Sequence, residues 1–187
     1  MNLQLLLDKW KIKMDVNTIL SMWNESHRHY HNLDHLTSLM DDIENQYKDK
    51  VSEKEYEKLN LVALFHDIVY DPSKSDNEEK SAEFFINLCQ DKTNPDILEV
   101  KQAILDTKSH QSTTPISEKF NKLDMKVIEG NYDELLKWEE GISAEYTPFY
   151  GEEKYKQGRI QFLESLLDKY NHNAGNLLKL IRYIKNN

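Results

Sequence analysis

Cysteine is nearly missing from this chain of 187 residues. The one thiol, Cys89, has no partner for an internal disulfide, so the fold is expected to do without staples in a reducing, cytoplasmic setting. Glycine and proline are also scarce, at five and four residues. That leaves few of the residues that punctuate turn-rich sheet architectures and favours helix. No stretch approaches the roughly 20 apolar residues needed to span a bilayer; the apolar start at Leu3 to Leu7 is ended by Asp8 and Lys9. No basic segment leads into an apolar run, so no secretory leader is expected. Positive charge is short as well. Against 33 Asp and Glu stand 24 Lys and Arg, a net charge of −9, which disfavours a duplex DNA binder, because phosphate contacts rest on a basic face. Small anionic substrates stay open, since cations gathered in a cleft can reverse the field locally.

What is present is helical periodicity. Apolar residues recur at three- and four-residue intervals along most of the chain, and no segment alternates as a strand would. The spacing predicts helices over 2–13, 16–26, 33–48, 53–68, 77–90, 95–108, 117–128, 132–146, 152–170 and 174–185. Start signals support several of these boundaries. Ser52 with Glu55, and Asp76 with Glu79, have the spacing of a capping box, while Asn94-Pro95 offers an N-cap followed by proline at the first helical position. The polar run Lys108 to Lys119 and the stretch Thr147 to Lys154 are the expected breaks. At this length one domain with a true core is expected, giving an all-α fold built as a single compact bundle of helices over 1–187.

Three of the seven histidines fall within "RHYHNLDH", Arg28 to His35. If a helix starts near Leu33, His31 and His35 stand one turn apart and can face one cavity. A second cluster, "LFHDIVYD", follows at Leu64 to Asp71. Leu59, Val62, Ala63 and His66 share a face there, which puts an imidazole on the buried side. Alone, such a histidine is more often a hydrogen-bonded core residue whose neighbour, Asp67, fixes its tautomer. Together, histidine nitrogens and a carboxylate that can bridge two ions suit a borderline divalent metal. Asp124 interrupts the apolar pattern Phe120, Leu123, Val127 and Ile128, and is either a solvent-facing residue or one more ligand.

The order H…HD…D, carried by His35, His66-Asp67 and Asp124 on a helical chain, resembles the HD-domain superfamily of metal-dependent phosphohydrolases. More closely, "RHYHNLDH", "ALFHDIVYD", "DNEEKSA" and "ILDTKSH" resemble small bacterial HD phosphohydrolases predicted from their sequences, and "EYTPFYGEEKYKQGR" continues the likeness more weakly. "YHNLDH" and "ILDTKSH" are also similar to segments of cyclic-nucleotide phosphodiesterases, a distant branch in which the first histidine is a general acid and the second binds metal. The chain departs from the pattern at Lys122, where an acidic residue is usual, and at Ser143, where an arginine often precedes "EY".

The resemblance implies a motif-bearing core of about 28–124 with the helices of 132–185 packed on it. It implies a metal set of His35, His66, Asp67 and Asp124 around one or two divalent ions (Mn, Fe, Co, Zn or Mg), Asp67 being able to bridge. His31 or His110 would protonate the leaving oxygen, the role suited to the side chain that titrates nearest neutral pH. Arg28, Asn32 and Lys108 are the candidate substrate contacts. The expected reaction is hydrolysis of a phosphoester of a nucleotide or another small phosphate compound by metal-activated water. The alternative is a non-catalytic metal- or nucleotide-binding module of the same fold. Asp71 is read as a turn starter before Pro72 rather than as a ligand, and His27, His29 and His172 as surface residues.

Overall fold

The computed structural model describes every residue from Met1 to Asn187 as an all-α chain. Ten α-helices follow one another: α1 (Leu3–Lys9), α2 (Val16–Trp23), α3 (Leu33–Tyr47), α4 (Glu53–Phe65), α5 (Asn77–Leu88), α6 (Pro95–Asp106), α7 (Pro115–Asp124), α8 (Tyr132–Tyr150), α9 (Glu152–Leu166) and α10 (Ala174–Asn186), with short 3-10 turns at Met125–Glu129 and Asn171–Asn173. The only strand-like pairing is an isolated antiparallel bridge between Ile12 and Cys89. No helix is long and apolar enough to cross a membrane.

The chain divides into two compact units, Met1–Asp124 with α1 to α7 and Met125–Asn187 with α8 to α10. In the first unit α4 is the central element. Nine consecutive residues from Glu57 to Phe65 are buried, so the helix is enclosed on all sides rather than along one stripe, with α3, α5, α6 and α7 packed around it. The polar members of that run are paired. Glu57 accepts from Lys9 and Trp10, and the Lys58 ammonium lies between Asp96 and Glu99. In the second unit α8, α9 and α10 pack against one another around Leu135, Leu163, Leu177 and Leu180.

Several boundaries differ from the sequence expectation for identifiable reasons. The first helix stops at Lys9 rather than 13 because Lys11 takes a left-handed φ of 54° and the following chain pairs with the end of α5, Lys13 N–H donating to Leu88 O at 2.9 Å. Ser52 and Glu55 form the expected capping box, and Asn94 caps α6 ahead of Pro95. Asp76 makes no cap bond, and its expected partner Glu79 pairs with Lys108 instead. The break expected over Thr147 to Lys154 is present but narrows to Gly151. α8 continues through Pro148 and ends at Gly151, whose φ of 75° lies in the region that favours glycine.

Candidate metal centre

Three elements of the first unit deliver the histidines and carboxylates. Asn32 caps α3, its Oδ1 accepting from the backbone N–H of Asp34 and of His35. That sets His35 in the first turn, facing the end of α4. His66 follows the last residue of α4 and is 1% exposed. Asp124 is the last residue of α7, where the α-helix tightens into a 3-10 turn. One ligand atom each from His35, His66 and Asp124 lie within 4.8 Å of one another, a group that could hold a metal ion.

The contacts within the group are directional. His66 Nδ1 faces Ala63 O at 3.1 Å, which fixes the ring and turns Nε2 toward the carboxylates. Nε2 lies 3.2 Å from Asp67 Oδ2 and 3.8 Å from Asp124 Oδ1. The Asp124 oxygen is beyond hydrogen-bond reach and the Asp67 contact is an ion pair rather than a formed hydrogen bond, so this buried nitrogen makes no hydrogen bond. His35 Nε2 lies 3.3 Å from Asp124 Oδ1, and His110 Nε2 lies 3.1 Å from Oδ2 of the same carboxylate. Trp23 and Phe120 wall the His66 ring at centroid distances of 5.4 and 5.1 Å, while the Trp23 indole N–H donates to Leu64 O and so ties α2 to the last turn of α4.

Burial and charge compete at each group. Burial disfavours charge on His66, but the Asp67 carboxylate, and then Asp124, outweigh it and raise the imidazole to about 9. At His35 burial wins over Asp124 and lowers the value. Burial alone would raise Asp67 and Asp124, yet His66 holds Asp67 well below the usual carboxylate range, and the hydrogen bonds from His110 and His35 do the same for Asp124. Both carboxylates are therefore anionic at neutral pH. Two imidazole nitrogens, one of them buried without a hydrogen bond, and a carboxylate oxygen converge, the donor chemistry of a borderline divalent cation.

The other expected site residues divide. Asp67 borders the group without belonging to the mutually close trio; its Oδ2 faces His66 and, at 4.0 Å, His31 Nε2. The His31 side chain is 19% exposed, and its ring packs against those of Tyr30 and Tyr70. His110, with a left-handed φ of 51°, orients Asp124. Arg28 has no exposed side-chain surface and spends its donors on Glu25 and on the carbonyls of His31, Asp67 and Ile68. It therefore offers no open fork to a phosphate. Asn32 is committed to its cap, and the Lys108 ammonium to Ser75 O and Glu79. Asp71 makes the expected turn, its Oδ1 accepting from the Ser73 N–H and hydroxyl. His27 is more than a surface residue, since its Nε2 faces Tyr70 O at 2.9 Å and its ring stacks on Tyr70.

Sequence reasoning passed over Glu78. It is half-buried at the start of α5, and burial, with the Asp67 charge adding to it, pushes its carboxyl up. The stretch "DNEEKSA" was the available signal, but it does not say which of its two glutamates turns inward. Asn77 and Ser81 in the same stretch are buried polar residues. Comparison with protein-family models, curated proteins and solved structures finds no match to this chain.

Proposed function

We propose that the chain is a metal-dependent phosphohydrolase of the HD type, acting on a phosphoester of a nucleotide or another small phosphate compound. One observation carries the reading: His66 Nε2 is buried, without a hydrogen-bond partner, and converges with His35 and Asp124 beside the Asp67 carboxylate. The motif order noted in the sequence supports it. His35, His66 and Asp124 would hold the ion, with Asp67 able to join them or to bridge to a second. Two nitrogens in the donor set favour Mn, Fe, Co or Zn over Mg, which prefers oxygen. A divalent ion bound there supplies Lewis acidity and positive charge that a phosphoryl group can use.

The remaining roles follow from where protons can be held. His31 stands at the partly exposed edge of the cluster, with Nε2 in ion-pair reach of Asp67. Asp67 stabilises the imidazolium, and His31 gives its Nε2 proton to the leaving oxygen. His110 keeps its Nε2 on Asp124 and acts by orienting that carboxylate. Release of p-nitrophenol from mono- and diester substrates, with and without Mn²⁺, tests the reading. Turnover should require the metal, and His31→Ala should lower it by about 10²–10⁴-fold while keeping the ion. A metal-loaded wild-type chain inert toward these esters and toward a nucleotide panel would contradict it.

A further inference from the structure

The five residues that follow His66 leave α4 without entering another helix or pairing as a strand. A buried backbone stretch of this kind must find partners for its N–H and C=O groups, and here side chains supply them. Arg28 Nη1 donates to Asp67 O at 2.8 Å and Nη2 to Ile68 O at 3.1 Å. Ser81 Oγ accepts from Val69 N–H at 3.1 Å and donates to Val69 O at 3.2 Å. His27 Nε2 meets Tyr70 O. Asn77 repeats the two-way pattern at Asp71, its Oδ1 accepting from the N–H at 3.1 Å and its Nδ2 donating to the carbonyl at 2.9 Å.

These side chains come from two places only. Asn77 and Ser81 are one turn apart on α5 and so share a face, and both are buried, Ser81 completely. Arg28 comes from the loop before α3, where Nη1 also donates to His31 O at 3.0 Å. Its guanidinium is held over Trp23 and Tyr70, with Cζ 5.3 and 5.2 Å from the ring centroids. One cation thus joins the backbone of His31 to the backbone of Asp67, and α5 grips the chain immediately beyond.

We propose that Arg28, Asn77 and Ser81 act as one clamp that positions Asp67 against His66 and His31. This rests on the metal-site reading above. The core residues of α4 fix where that helix ends, but they do not fix the direction in which the chain leaves it. That direction decides whether the Asp67 carboxylate stays 3.2 Å from His66 Nε2. A site of this kind tolerates displacements of only about 0.5 Å. The three are positioning residues, and none touches the ion or the reacting phosphate.

The test is a Co²⁺ titration of the full chain, followed by calorimetry and by the visible absorption of the bound ion. Ser81→Ala and Asn77→Ala should weaken Co²⁺ binding by roughly 10–100-fold, the usual cost of losing an outer partner of a metal ligand, and should change the spectrum. Asn173→Ala is the control. In the second unit Asn173 Nδ2 donates to Ile128 O and Gly130 O in the same side-chain-to-backbone manner, so its loss should leave Co²⁺ binding unchanged. If the alanine variants do not fold, Asn77→Asp keeps the acceptor for Asp71 N–H, loses the donor, and should show an intermediate loss. Wild-type affinity and spectrum in the folded Ser81 and Asn77 variants, or an equal loss in Asn173→Ala, overturns the clamp alone. A wild-type chain that takes up no Co²⁺ overturns the metal reading and the clamp with it.

Discussion

Two clusters of buried polar side chains, one in each unit, have similar ingredients and opposite character. In the second unit Glu139 is closed on itself: Oε1 accepts from the Tyr155 hydroxyl at 2.6 Å and Oε2 from Arg159 Nε at 2.7 Å. In the first unit His35, His66, Asp67 and Asp124 crowd more charge into one place. Both clusters leave one buried nitrogen without a hydrogen bond, Arg159 Nη2 and His66 Nε2. The guanidinium can only donate, and it lies over the Trp138 ring with Cζ 3.9 Å from the centroid. The imidazole nitrogen can lose its proton and offer a lone pair. An unsatisfied buried atom therefore points to a ligand only when its chemistry permits coordination and other donors converge on it.

The largest effect separating the clusters should come from Asp124→Asn. It keeps the shape of the side chain, removes the charge, and should weaken Mn²⁺ binding by more than about 100-fold, beyond the usual cost of an outer partner. Asp133→Asn, at the exposed first turn of α8, should leave binding unchanged in the same calorimetric titration. Equal losses in the two would remove Asp124 from the site. Glu139→Ala is the reciprocal change. It leaves the Arg159 charge buried and uncompensated, and should cost about 3–5 kcal/mol in urea unfolding with no effect on metal stoichiometry in the folded protein. A change in stoichiometry would mean that the Glu139 cluster contributes to metal binding.

A smaller effect is expected from pH. His66 is raised from 6.5 to about 9 by the carboxylates beside it, so the folded metal-free chain binds the proton more tightly than the unfolded chain does. That contribution to stability is fully present below pH 6.5 and is lost as pH rises through 9. Urea midpoints of the metal-free chain should therefore fall across this window in wild type and less so in His66→Gln; identical profiles would disprove the assignment. The smallest expected effect lies at the helix ends. Ser52→Ala should cost about 1 kcal/mol by removing a formed cap, and Asp76→Ala close to nothing, because Asp76 makes no cap bond.

The ten helices were legible because core packing imposes a 3.6-residue period that survives in the sequence, and Ser52 and Asn94 cap their helices as their spacing predicts. The stretch Thr147 to Lys154 was legible as a break but not its place, because the chain turns only where Gly151 takes a φ of 75° and α8 runs on through Pro148 to reach it. The convergence of His35, His66 and Asp124 was legible only as an order of residue types. Arg28, Asn32 and Lys108 show the limit of that reading. Sequence says that each can donate, but only the fold shows those donors already given to the His31 and Asp67 carbonyls, to the His29 carbonyl and to Glu79. Asn77 and Ser81 were passed over for the complementary reason, since nothing local tells a buried clamp from a solvated helix face.

Whether His66 Nε2 binds metal is decided by calorimetric titration of the chain with Mn²⁺. His66→Gln is measured beside wild type, with folding checked by circular dichroism. Wild type should take up at least one ion per chain and release a proton on binding at pH 7, because His66 must give up its proton, and the folded variant should lose both. Equal binding by wild type and His66→Gln, or no binding by either, would contradict metal binding by His66 Nε2.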